Sequence, residues 1–223
     1  MLKLHPETQP YAAWLKPRLD YLQVADEIRI TIPPPAAEPG LPPQPIPNPE
    51  AGKERELWVK KVADRPWPPG AKDYVTRLKP IFSEEGVPPQ LVWVAEVESS
   101  FDVGSRSPAG AAGLFQLMPE TAKRYGLASW PRDQRYQAEP SARASARYLK
   151  ALHDHFQDWR LTLAAYNAGE GTVQKLMDRY HTRSYDGISR HLPAETQMYV
   201  PKVEATILRR ENVALAKLVT PNM

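Results

Sequence analysis

Proline is concentrated in one short part of this sequence, and that concentration limits what the chain can fold into. Of the 25 prolines, 12 precede residue 50 and nine lie between Pro33 and Pro49, whereas proline averages about 5% in proteins. Each proline fixes φ and lacks a backbone N–H group, so this stretch excludes helix and central strand and favours polyproline II. We predict an N-terminal extension at 1–69, with two short helices and the proline-rich segment at 33–49, and a folded domain at 70–223.

Apolar residues recur at helical spacing through most of the remaining chain, and proline or glycine marks many of the expected helix ends. Sustained strand-type alternation and internal repeats of 20–50 residues are both missing from the sequence. The sequence therefore predicts an all-α globular domain of many short helices. The expected helices cover residues 11–22, 57–62, 71–85, 88–99, 119–125, 140–156, 159–168 and 193–208. Asp158 is the expected N-cap of the helix at 159–168.

Composition excludes several classes of function. The absence of cysteine excludes disulfides, thiolate zinc sites and cysteine nucleophiles. A net charge of +3 is too small to indicate a nucleic-acid partner. The sequence has no apolar run of membrane-spanning length, and no signal-peptide-like apolar region follows Met1. The five histidines fit no metal-ligand spacing and no phosphate or dinucleotide loop is found, so we expect neither metal nor cofactor.

Glu98 is a candidate for acid–base chemistry. It stands at the end of a predicted helix whose other members include Val92, Val94 and Val97. Burial in such surroundings raises the pKa of a carboxyl group, as a general acid working near neutrality requires. The alternative is that Glu98 simply faces water at a helix C-terminus, and periodicity leaves both interpretations open.

Two later segments add polar groups to this candidate site. Gln116 lies within the glycine- and alanine-rich stretch SPAGAAGLFQLMP, where the backbone can approach a ligand closely. Tyr166 and Asn167 lie in LAAYNAGEG, near the end of another predicted helix. An acid, amides and phenols in a cleft of small residues are suited to holding a sugar chain.

Three segments together resemble the lytic transglycosylases with a goose-lysozyme-like fold, and most closely their membrane-bound D-type branch. They are VESSFDVGSRSPAGAAGLFQLMPETAKRYG, LTLAAYNAGEG and LPAETQMYVPK. The resemblance covers about residues 70–210. It implies that Glu98 is the single catalytic acid and base, and that the domain at 70–223 is the catalytic one. The implied substrate-binding residues are Ser107, Gln116, Tyr166, Asn167 and Tyr199.

The resemblance implies non-hydrolytic cleavage of the β-1,4 MurNAc–GlcNAc linkage of peptidoglycan. Glu98 would protonate the bridging oxygen, the MurNAc acetamido group would attack, and ionised Glu98 would then help to form a 1,6-anhydro ring. Two alternatives remain open. One is a hydrolytic muramidase in which Asp102 positions water, and the other is a non-catalytic glycan-binding protein.

The substrate implies a place in the cell envelope, in the periplasm or at the outer membrane. The expected partner is the peptidoglycan glycan strand, with no nucleic acid and with any cell-wall complex partner unknown, and we expect a monomer. The resemblance does not extend to the proline-rich extension. We predict that it wraps the domain or lies near the cleft mouth and restricts which strands enter.

Overall fold

The computed structural model describes residues 6–31 and 49–221. The predicted proline-rich segment, apart from Pro49, lies outside these residues. Within them the chain forms helices and no named β-strand, only isolated bridges that join Arg106 to Ala112 and Ala112 to Leu117. The all-α class predicted from the sequence is confirmed. The α-helices are α1 (Ala12–Leu15), α2 (Leu19–Thr31), α3 (Ala51–Val62), α4 (Ala71–Glu84), α5 (Val94–Ser99), α6 (Pro119–Arg124), α7 (Ala138–Phe156), α8 (Trp159–Ala168), α9 (Glu170–Arg179), α10 (Tyr185–Ile188) and α11 (Ala194–Glu211).

Most of the expected helices are present, but α9 and α10 were not expected, α2 extends to Thr31 and α3 begins at Ala51. Other differences occur at prolines. The single helix expected over 11–22 is interrupted by a 3-10 turn at Lys16–Arg18, since Pro17 lacks an N–H group and its ring crowds the preceding turn. The helix expected from Pro88 starts as a 3-10 segment, Pro89–Trp93, before α5. Asp158 caps α8 as predicted, accepting a 2.9 Å hydrogen bond from the Leu161 N–H group.

The long helix α11 brings together the parts of the molecule that form the site. It packs against α3, α5 and α8. The main core surrounds α5 and includes buried residues of α4, α7, α8 and α11. A second apolar cluster joins Val24 and Ile28 of α2 to Trp58 and Val62 of α3 and Ala205 of α11. The N-terminal helices are thereby fixed to the side of α11.

Within residues 6–31 and 49–221, no helix is both long enough and apolar enough to cross a membrane.

Candidate active site

Glu98 lies in the last turn of α5, which ends because Ser100 and Phe101 adopt left-handed backbone conformations, with φ of 54° and 59°. The hydroxyl of Ser99 donates to the carbonyls of Ala95 and Leu114, which ties this helix end to the following loop. Glu98 is 4% exposed. The structure therefore favours the buried interpretation of Glu98 over the solvent-facing one.

The surroundings of Glu98 favour a protonated carboxyl group. Burial raises its pKa above the ordinary value, and the neighbouring carboxylate of Glu195 also raises it. The Arg18 guanidinium and the Tyr199 hydroxyl oppose this rise without overcoming it. A carboxyl group that keeps its proton closer to neutrality is suited to general acid catalysis.

The loop from Ser105 to Leu117 forms one wall next to Glu98. The Gln116 side chain donates through Nε2 to the carbonyls of Ser105 and Gly113, at 3.1 and 2.8 Å. Its Oε1 atom is buried without a hydrogen-bond partner. Ser107 is buried, and its hydroxyl accepts a 2.9 Å hydrogen bond from the Ala111 N–H group. The loop therefore holds an amide acceptor and a hydroxyl group in fixed positions.

Helices α8 and α11 supply the opposite side. The Tyr166 hydroxyl donates to the Phe115 carbonyl at 2.8 Å and lies 3.1 Å from the Ser145 hydroxyl. The Asn167 side-chain oxygen accepts a 2.7 Å hydrogen bond from the Thr196 hydroxyl. These contacts join α8 to the loop that carries Gln116 and to α11.

Tyr199 lies behind Glu98 rather than on the open surface. It is fully buried on α11, and its hydroxyl has no hydrogen-bond partner of good geometry. That hydroxyl is nevertheless close enough to Glu98 to lower the pKa of the carboxyl group. Tyr199 is thus placed to interact with Glu98 itself.

Most of these groups line a groove of about 210 Å³. Five of the six residues singled out in the sequence line it, and Tyr199 lies behind them. Three further lining residues were not expected there: Trp14, Arg18 and Glu195. The lining residues are Trp14, Arg18, Glu98, Ser107, Ala109, Ala111, Gln116, Met118, Tyr166, Asn167 and Glu195.

Arg18 contacts Glu98 and the other two unexpected residues. Its Nη2 atom lies 3.3 Å from Glu98 Oε2, and its Nε atom donates to Glu195 Oε1 at 3.1 Å. Its guanidinium carbon stands 4.5 Å from the centre of the Trp14 ring. Glu195 carried a usable sequence signal, because it precedes Tyr199 by four residues and so shares its helix face. No local pattern links Arg18 to Glu98.

Asp102, the water-positioning candidate of the hydrolytic alternative, is placed elsewhere. Its carboxylate is exposed, accepts a 2.8 Å hydrogen bond from the Gly104 N–H group and lines a different cavity, beside Lys16 and Tyr74. The turn that ends α5 directs it away from the groove. Glu96 precedes Glu98 by two residues, so helical spacing directs it to a different face, where it pairs with Arg210 at 2.8 Å.

Comparison with known proteins agrees with this description. The family described as Transglycosylase SLT domain matches residues 82–188. Membrane-bound lytic murein transglycosylase D of Escherichia coli (strain K12) is 37% identical over 139 residues, which cover 60% of this chain and 31% of that protein. Membrane-bound lytic murein transglycosylase C of Haemophilus ducreyi is 30% identical over 148 residues, covering 59% of this chain and 40% of the relative. The matched part of the chain thus corresponds to about a third of the length of the first relative and two fifths of the second.

The fold has solved counterparts. The 70 kDa soluble lytic transglycosylase of Escherichia coli superposes with a TM-score of 0.56 at 25% identity, over 71% of this chain and 28% of that one. The predicted lysozyme-like fold and the resemblance to lytic transglycosylases are both confirmed.

Proposed function

We propose that this chain, which resembles the lytic transglycosylases in sequence and fold, cleaves the MurNAc–GlcNAc linkage of peptidoglycan without adding water. One observation carries the proposal: Glu98 is a buried carboxyl group at the wall of a groove lined by amide, hydroxyl and phenol groups. Such a lining can bind a glycan by hydrogen bonds while the acid meets a glycosidic oxygen.

In the first step, protonated Glu98 gives its proton to the bridging oxygen as the C1–O bond breaks. The carbonyl oxygen of the MurNAc acetamido group attacks C1 and forms an oxazolinium ring, and the GlcNAc end leaves as an alcohol. Because the substrate supplies the nucleophile, a second protein carboxylate is not needed as one.

In the second step, ionised Glu98 accepts the proton of the MurNAc C6 hydroxyl. The C6 oxygen bonds to C1, the oxazolinium ring opens, and the acetamido group is restored. The product is a 1,6-anhydro ring, and Glu98 regains its starting proton. We propose that Tyr199 and Gln116 support this cycle, because each has a buried side-chain oxygen without a hydrogen-bond partner.

Glu195 is the one feature of the groove that favours a second candidate function. It is a second carboxylate beside Glu98, with 47% of its side chain exposed. In a hydrolytic muramidase a second carboxylate activates water or acts as nucleophile. In the structure Arg18 binds Glu195, which leaves that oxygen less available as a base. The two functions differ in their products.

The experiment is digestion of purified sacculi followed by mass spectrometry of the released muropeptides. We expect 1,6-anhydro ends, which are one water lighter than the reducing ends of hydrolysis, and we expect them to persist in Glu195→Gln. Reducing ends that disappear in Glu195→Gln would instead establish hydrolysis. A parent protein that binds sacculi but releases nothing would establish the non-catalytic alternative.

Glu98→Gln should reduce turnover at least about 100-fold while binding to sacculi remains. The matched control is Glu96→Gln, another buried glutamate of the same helix, which pairs with Arg210 and does not line the groove. Its thermal unfolding is measured as well, because the change breaks a buried ion pair. We expect Glu96→Gln to remain active. The proposed substrate places the protein in the cell envelope, which is consistent with the names of its membrane-bound relatives.

A further inference from the structure

The N-terminal segment, defined here as residues 9–31, contributes directly to the groove although it lies outside the SLT-matched residues 82–188. Arg18 binds Glu98 twice, through Nη2 to the carboxylate at 3.3 Å and through Nη1 to the backbone carbonyl at 3.1 Å. Nη1 also donates to the Trp14 carbonyl at 3.2 Å. The side chain of Arg18 is 11% exposed, so its position is determined by these contacts.

Buried charges hold the segment in place. The ammonium group of Lys202, which is fully buried on α11, donates to the Pro17 carbonyl and lies 3.0 Å from Asp20 Oδ2. Arg65 binds the same Asp20 oxygen at 2.6 Å. Together with the apolar cluster formed by α2, α3 and α11, these contacts make the segment a fixed part of the site.

We propose that Arg18 is a positioning residue for the catalytic acid: it fixes the Glu98 side chain and stabilises the carboxylate formed when Glu98 gives up its proton. This inference rests on the proposed function, because only proton donation creates that carboxylate during turnover. Arg18 acts through Glu98 and has no assigned contact with the sugar.

The charge that forms on Glu98 during turnover is buried. Proton donation leaves a negative charge on a residue that is 4% exposed, and an unpaired buried carboxylate is strongly unfavourable. A guanidinium keeps its own proton at any working pH. Arg18 therefore lowers the cost of donating the proton and leaves the carboxylate available for the second step.

The other groups that face Glu98 do not supply this positive charge. Tyr21 of α2, Tyr166 of α8 and Tyr199 of α11 are buried phenols whose pKa values are raised by burial, so they stay neutral. Glu195 of α11 carries the opposite charge and raises the pKa of Glu98. Removal of the Arg18 charge is therefore expected to raise the pKa of the Glu98 carboxyl group.

The test compares the full chain with Arg18→Met and Arg18→Lys, measuring kcat and KM on sacculi across pH. Arg18→Met should lower kcat about 10- to 100-fold, the value of a lost charge-assisted hydrogen bond, with little change in KM. Activity that needs protonated Glu98 declines above the pKa of Glu98. The alkaline limb of the pH profile of Arg18→Met should therefore lie at higher pH than that of the parent. Arg18→Lys keeps the charge and should restore much of kcat and the parental pH profile.

Arg160→Met is the matched control, because it removes another part-buried ion pair, 2.9 Å from Glu204, away from the groove. Thermal unfolding of each variant separates a general loss of structure from a specific effect on the Glu98 carboxyl group. An Arg18→Met variant that is folded and has unchanged kcat, or higher kcat as an autoinhibitory contact would produce, overturns the inference.

A readout without activity separates this inference from the proposed function. Carboxyl NMR of Glu98, assigned by comparison with Glu98→Gln, should give a higher pKa in Arg18→Met than in the parent, and an unchanged pKa overturns the role of Arg18 at Glu98. If instead the parent releases no muropeptides, the proposed function fails while the NMR titration still decides whether Arg18 controls the carboxyl group.

Discussion

The loop that carries Gln116 allows a direct test of how the groove is built. Gly113 has φ of 79°, and a Cβ atom at this position would lie 1.8 Å from the backbone oxygen of Arg135. Gly110, three residues earlier, has φ of 92° and open space where its Cβ would be. Replacing each glycine with alanine therefore separates backbone strain from steric overlap within one loop.

The expected magnitudes follow from this geometry. A left-handed conformation costs an L-residue about 1–2 kcal/mol, and Gly110→Ala should lose only that much. Gly113→Ala adds a backbone clash that a rotamer change cannot relieve, so one of the two segments must move. We expect a loss of at least about 3 kcal/mol, which is in the range of severe core changes. For a chain of this size, each kcal/mol lowers Tm by about 2–4 °C.

The clash should also affect the site, because the Gly113 carbonyl binds the Gln116 amide at 2.8 Å. Arg135 binds the same loop through the carbonyls of Gly110 and Leu117, at 2.7 and 3.1 Å. Movement of either segment therefore disturbs Gln116. The assays are urea unfolding and muropeptide release. Equal stability losses in the two variants, or a Gly113→Ala variant with parental activity and stability, would refute this explanation of the loop.

Two further predictions concern parts of the molecule away from that loop. Burial raises the pKa of the Glu54 carboxyl group to about 7, so its contribution to stability is fully present below about pH 4.5 and is lost as the pH rises through 7. Glu54→Gln should therefore raise the unfolding free energy by about 3 kcal/mol above pH 7 and by almost nothing at pH 4. Urea unfolding that gives equal shifts at both pH values would contradict this. Deletion of residues 1–50 removes Arg18 and exposes Trp58, so it should lower kcat at least about tenfold and stability by at least about 3 kcal/mol; unchanged activity and melting temperature would show that the N-terminal segment is dispensable.

The sequence predicted those features that depend on local pattern. Helical periodicity and the positions of proline and glycine located most of the helices, and Asp158 was correctly expected to cap α8. The apolar neighbours of Glu98 made burial one of two open interpretations, and the structure shows that the side chain is buried. These features were predictable because each depends on residues within one or two helical turns.

The remainder of the site depends on tertiary contacts that no local pattern encodes. Arg18 meets Glu98 across 80 positions of sequence, and its partner choice depends on Lys202 and Asp20 holding the segment in place. Asp102 is only four residues from Glu98, yet the left-handed turn at Ser100 and Phe101 separates the two side chains. Helical spacing predicts neither result, because Arg18 belongs to a different element from Glu98 and because α5 ends between Glu98 and Asp102.

The motif LPAETQMYVPK contacts both Glu98 and the N-terminal segment that carries Arg18. Its Tyr199 faces Glu98, its Glu195 binds Arg18, and its Lys202 binds Asp20 and the Pro17 carbonyl. Burial lowers the pKa of Lys202 to about 8, so the ammonium group is still largely charged at neutral pH and pairs with Asp20. One turn of α11 therefore supports Glu98 directly, and the next fixes the segment that brings Arg18 to it. A domain boundary at residue 69, which stays a prediction, would divide this arrangement, because Arg18 and the carboxyl group that it binds would then belong to different units.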